Sequence, residues 1–204
     1  MKTASFLLPL VLAAAGLSTS VQAQTAGDAA KGATKAAMCI GCHGIVGYQA
    51  SFPEVYKVPM IAGQNAKYVV SALTAYQKGD RKHPTMRGIA ASLTEQDMAD
   101  LGAFYEAQGK TAGLAAAPAA LAKPVPDALK DRMAACVACH GANFSAPIDP
   151  TYPRLAGQHA DYTEAQMLAF RDGVRKNNAI MTGVAAKMND REIKAVSDYV
   201  SGLR

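Results

Sequence analysis

The chain has 204 residues, 50% hydrophobic and 18% charged, with 17 Gly, 10 Pro and no Trp; this suits one large or two small domains and excludes a disordered polymer, a collagen-like repeat and a coiled coil. The formal charge of +5 is spread evenly: nine basic residues face seven acidic from Gln24 to Pro118, and eleven face nine from Ala119 onward. With no basic stretch interleaved with aromatics, so small an excess gives no ground for nucleic-acid binding.

Lys2 opens the chain, Phe6 to Leu17 are mostly apolar around Pro9, and Val21-Gln22-Ala23 has the form of a signal-peptidase site. Residues 1–23 are therefore expected to be an export signal, cleaved after Ala23, too short and too early for a spanning helix. This places the working chain in the periplasm. A first unit, 24–108, starts with a short Ala-rich helix over Gly27 to Met38 that leads into Cys39-Ile40-Gly41-Cys42-His43. A second helix, Gln64 to Lys78, carries Tyr68, Val69, Leu73 and Tyr76 at helical spacing. Met86 follows on a loop. Thr94-Glu95-Gln96-Asp97 then caps a last helix with Met98, Leu101 and Tyr105 on one side.

Residues 109–126, reading GKTAGLAAAPAALAKPVP, are broken by Gly and Pro and read as a linker. The second unit, 127–204, repeats the plan. A short helix from Pro126 to Ala135 leads into Cys136-Val137-Ala138-Cys139-His140, and a helix follows over Gln158 to Asp172 with Tyr162, Met167 and Phe170. Met181 comes next, and Asn189-Asp190-Arg191-Glu192 caps a final helix carrying Ile193, Val196 and Val200. No run alternates with period two, so the fold class is all-α.

Both Cys strings are C-x-x-C-H, the attachment pattern of c-type haem. Two thiols one helical turn apart can each form a thioether with a haem vinyl group, and the adjacent His can bind the iron. A thioredoxin-like pair needs a βαβ context and no His here. A zinc site built from two Cys pairs spaces them about 15–20 residues apart, whereas 93 residues lie between Cys42 and Cys136. A disulfide inside each string leaves the repeated His unexplained. The strings consume all four Cys of the chain.

Self-comparison extends the duplication. Pro59 to Lys82 and Pro153 to Lys176 share ten of 24 positions at an offset of 94, among them Gly63/Gly157, Gln64/Gln158, Tyr68/Tyr162 and Arg81/Arg175. The Cys strings align at an offset of 97, so the first unit has three extra residues after its His; beyond Lys82 the offset is 95 and Met86 falls on Met181. Of nine Met, these two alone pair with each other across the repeat. They are the candidates for the second iron ligand opposite His43 and His140, with His83 as the rival for the first haem. A thioether ligand favours reduced iron and raises the potential. Arg81 and Arg175 are candidates to bind haem propionates or to steer an acidic redox partner.

The two strings, the P-x-I/L-A-G-Q-x-x-x-Y stretch after each and the downstream Met in each half resemble the dihaem cytochrome c4 family over essentially the whole mature chain. The resemblance implies two tandem class I cytochrome c domains, each a small helical bundle around one covalently bound haem, related by pseudo-twofold symmetry. It also implies that the Pro59 and Pro153 carbonyls face His43 and His140. The function expected is that of a periplasmic carrier, not an enzyme, moving single electrons from a quinol-oxidising complex or a dehydrogenase to a terminal oxidase. Peripheral membrane association stays open. The alternative is a dihaem subunit of a larger enzyme such as a flavin-dependent sulfide dehydrogenase. More remote is a dihaem peroxidase, which needs an open or His-gated iron and, by resemblance to that family, a longer chain.

Overall fold

The structure is a computed structural model, and it describes residues 25–111 and 123–203. The expected export signal and the middle of the expected linker lie outside these residues. In the first unit α1 (Ala29–Lys35) and α2 (Ala37–His43) meet at Ala36, followed by the two-residue strands β1 (Gln49–Ala50) and β2 (Tyr56–Lys57). Then come α3 (Ala66–Lys78), α4 (Pro84–Ala91) and α5 (Glu95–Thr111). The second unit has a 3-10 turn at Asp127–Leu129, α6 (Lys130–His140), α7 (Ala160–Arg171), α8 (Ala179–Ala185) and α9 (Asp190–Ser201). The all-α expectation holds, with one small addition. The longer loop of the first unit folds back on itself, pairing Gln49 with Lys57 and Ala50 with Tyr56 in an antiparallel ladder.

Besides shifts of one or two residues at helix ends and a break at Ala36 in the helix expected over 27–38, the structure differs from the sequence reading in three places. The helices entering the haem strings continue through them to His43 and His140. Helix α5 runs on to Thr111, into the stretch read as linker. Met86 and Met181 sit in the first turns of short helices rather than on open loops.

Each unit has its own core. Val69, Leu73, Tyr76, Met98, Leu101 and Tyr105 fill the first; Leu129, Met133, Phe144, Ile193, Val196 and Val200 are among those filling the second. Both capping motifs form. Asn189 accepts from the Glu192 amide at 3.0 Å while Glu192 accepts from the Asn189 amide at 2.9 Å, and Thr94 and Asp97 exchange the same pair of bonds at 2.9 and 3.1 Å. In the first unit α1 crosses α5 so closely that a Cβ on Gly32 would lie 2.1 Å from the Asp100 carbonyl oxygen. The position aligned with Gly32 is Leu129, which in the second unit is itself a buried core residue.

The A-G-Q step after each Pro turns on a left-handed glycine, φ 78° at Gly63 and 77° at Gly157, a conformation that a Cβ disfavours. The same glycines tie the turn to the last helix: Gly63 N–H donates to the Tyr105 carbonyl at 2.8 Å and Gly157 N–H to the Val200 carbonyl at 2.7 Å. The two units meet along these turns. Lys57 pairs with Asp161 at 3.3 Å, the Lys176 amide donates to the Asp80 carbonyl at 2.7 Å, and the Asn65 amide side chain donates to the Tyr152 carbonyl at 3.2 Å.

Candidate haem sites

Helix geometry explains the spacing of each string. Residues three and four apart share a helix face, so Cys39, Cys42 and His43 on α2, and Cys136, Cys139 and His140 on α6, can address one ligand together. None of the four cysteines is in a disulfide. Among the described residues no cluster of three or more His, Cys, Asp or Glu is placed to hold a metal ion. His43 Nδ1 lies 2.8 Å from the Pro59 carbonyl and His140 Nδ1 lies 3.0 Å from that of Pro153. A carbonyl only accepts, so Nδ1 carries the proton and Nε2 keeps its lone pair. Burial pushes both imidazoles below their ordinary pKa, opposed by the carbonyl bond. They are neutral near pH 7, the form that binds a metal.

Met86 and Met181 occupy equivalent places, and so do the residues that cap their helices. His83 Nδ1 accepts from the Met86 amide at 3.3 Å, and Asn178 Oδ1 accepts from the Met181 amide at 2.9 Å. His83, which has no His counterpart in the repeat, is thus, in the fold, the equivalent of Asn178: both are N-caps. One continuous cavity of about 580 Å³ is lined from both units by all four Cys, His43, His140, Met86 and Met181.

Arg81 and Arg175 also line this cavity. They are 4% and 6% exposed, too enclosed to steer a distant partner. Arg81 donates to the Tyr162 hydroxyl and, at 2.8 Å, to Gln166, with its guanidinium 4.6 Å from the Tyr76 ring centre. Arg175 donates to Gln166 at 3.0 Å, Asn177 at 2.9 Å and the Tyr68 hydroxyl at 3.4 Å. Every one of these partners is neutral, and Arg81 Nε is buried with no hydrogen-bond partner among the described residues. The field of the two cations falls on the phenols instead. Burial pushes Tyr68 up, but Arg175 and Arg81 together outweigh it and hold that hydroxyl at about 8.

Comparison with known proteins accounts for this arrangement. The Cytochrome c family model matches residues 29–106 and 130–204, once in each unit. The chain is 37% identical to cytochrome c4 of Azotobacter vinelandii, with 100% of both chains covered. The crystal structure of reduced recombinant cytochrome c4 from Pseudomonas stutzeri superposes with a TM-score of 0.68 at 31% identity, covering 88% of this chain and 100% of that one. The chain belongs to the dihaem cytochrome c4 family. It is a dihaem c-type electron-transfer cytochrome with two covalent haem c groups, whose attachment motif Cys39/Cys42 and Cys136/Cys139 fit. A further relative, 35% identical over 93% of this chain and 92% of its own length, is the thiosulfate dehydrogenase electron acceptor of Stutzerimonas stutzeri strain A1501.

The residues present fit the haem groups of a cytochrome c4. Two enclosed cations whose bonds go only to neutral groups call for anions, and each haem brings two propionates. Arg81 and Arg175 would receive them, so of the two roles expected for this pair the cavity favours propionate binding. The buried Tyr105 hydroxyl faces the Cys39 thiol.

Tyr68, Tyr162, Gln64, Gln158 and Gln166 also line the site, a role the sequence alone does not assign them. The first four are identities within the repeat, visible as marks of duplication. What they hydrogen-bond to depends on how the units dock, which periodicity does not reveal.

Proposed function

We propose that the chain is a periplasmic one-electron carrier in which His43 and Met86 would hold the iron of one haem and His140 and Met181 that of the other. Units 24–108 and 127–204 each hold one haem and 109–126 joins them, after residues 1–23 are removed on export. When bound, each haem supplies a one-electron couple at iron. The chain's own contribution is to tether it through Cys39, Cys42, Cys136 and Cys139, to fix the imidazoles through the Pro carbonyls, and to neutralise propionates with Arg81 and Arg175. A single duplicated observation supports this best: in both units a Pro-bound His and a helix-capped Met line the same cavity. The capping role of His83, matched by Asn178, favours Met86 over His83 as the ligand of the first haem. Two neutral ligands per iron leave no position for a substrate, which suits charge transfer and not catalysis.

The donor is a quinol-oxidising complex or a dehydrogenase, and the acceptor a terminal oxidase. Kinship with an electron acceptor of thiosulfate dehydrogenase supports the dehydrogenase arm. Among the described residues no helix is long and apolar enough to cross a membrane. Mixing the oxidised holoprotein with membranes containing a quinol-oxidising complex, or with a purified thiosulfate dehydrogenase and its substrate, tests the donor. Reduction of two haems per chain, followed by reoxidation with a terminal oxidase, is the expected result. Peroxide turnover by the protein alone, or rapid carbon monoxide uptake by its native reduced form, would overturn the carrier reading.

A further inference from the structure

The two glutamines of the repeat each reach into the opposite unit. Gln158 Oε1 accepts from the Met60 amide at 3.0 Å and its Nε2 donates to the Met60 carbonyl at 2.8 Å. Gln64 does the same to Arg154, accepting from its amide at 2.8 Å and donating to its carbonyl at 3.1 Å. Both side chains are buried, 6% exposed for Gln64 and 8% for Gln158. Met60 and Arg154 directly follow Pro59 and Pro153. The Met60 N–H and the Pro59 C=O are therefore two ends of one peptide group, and that carbonyl accepts from His43. Arg154, Pro153 and His140 stand in the same relation.

An acceptor on the N–H side of a peptide draws electron density toward its oxygen and makes that oxygen a better acceptor, the ordinary cooperativity of hydrogen-bond chains. A stronger acceptor at Nδ1–H makes the imidazole more basic, and a more basic ligand favours oxidised iron and lowers its potential. The chain of bonds runs from His43 through the Pro59–Met60 peptide to Gln158, and from His140 through Pro153–Arg154 to Gln64. We propose that Gln158 and Gln64 are crossed positioning residues: each sets, from the opposite unit, the hydrogen bond held by the other unit's haem histidine. The potential of each haem then depends on how the two units are docked. This inference rests on His43 and His140 being iron ligands.

The test is a redox titration of full-length holoprotein carrying Gln158→Met or Gln64→Met, each nearly the same size as Gln but without the amide. The two waves are assigned through the haem methyl resonances, and exchange of the Met60 and Arg154 amides is followed in parallel. Gln158→Met should raise the potential of the first haem only and speed exchange at Met60. Gln64→Met should raise that of the second haem only and speed exchange at Arg154. A shift of the same haem by both variants, a shift of the haem in the variant's own unit, or faster amide exchange with neither potential moved overturns the proposal. If one variant fails to retain haem, its reciprocal partner decides alone. Failure of the ligand assignment itself is seen separately, as iron-bound imidazole resonances of the oxidised wild-type protein that do not belong to His43 and His140.

Discussion

His83 shows how one side chain can be read two ways. An imidazole near a haem string is a natural ligand candidate, yet its Nδ1 serves as the acceptor that starts α4, the task Asn178 performs for α8. Replacing a capping acceptor with Ala costs about 1 kcal/mol. His83→Ala should therefore destabilise the first unit by roughly that amount and loosen the Met86 amide, while His83→Asn restores both; thermal unfolding and amide exchange measure the two effects. Loss of sulfur ligation in His83→Asn would contradict the capping role. The Met pair was legible because one offset aligned it across the repeat. The cap was not, since a helix start at Pro84 was hidden by reading the segment as a loop.

Helices α1 and α5 cross at Gly32 and are pinned by charge as well as by close approach. Lys35 reaches Asp97 at 2.5 Å and Asp100 at 2.8 Å, and Asp100 also accepts from the Asp28 amide at 2.9 Å. The Lys35 bond first, then the Asp28 amide and Gln96, lower the Asp100 carboxyl from its ordinary 3.8 to about 2. A carboxylate with a depressed native pKa stabilises the fold fully above its unfolded value, and that contribution fades as pH falls toward the native one. The first unit should thus lose stability between about pH 4 and 2, and Asp100→Asn should flatten that slope. Acid titrations followed by circular dichroism check this; an unchanged slope would remove the pair from the account. Most of this architecture was legible: helices, caps and the all-α class followed from apolar spacing and from acceptor-x-x-acid starts. The short β1–β2 ladder was not, because two-residue strands in the longer loop after His43 are too short to show a period.

Docking of the units turns two similar sites into one cavity. Its charge is unusual: two enclosed guanidinium groups whose described partners are neutral. Removing one should favour oxidised iron, because a nearby positive charge disfavours the ferric state. Arg81→Gln is therefore expected to lower a haem potential by an amount that salt screens only weakly, as befits a buried charge. Potentiometry at low and high ionic strength measures this. An unmoved potential would show that Arg81 plays no part in holding propionate. Little of the docking was legible beforehand. The identities at Gln64/Gln158, Tyr68/Tyr162 and Arg81/Arg175 were plain, but identical residues in two repeats serve equally well inside each unit or between them. The hydrogen bonds across the interface resolve that ambiguity.

The axial pairs carry the most weight, and the far-red absorption of the oxidised holoprotein tests them directly, since that band requires sulfur on ferric iron. Wild-type protein should show it for both haems. Met86→His should remove the first haem's share and lower that haem's potential, and Met181→His should do the same for the second. A band that survives both substitutions unchanged would contradict the assignment.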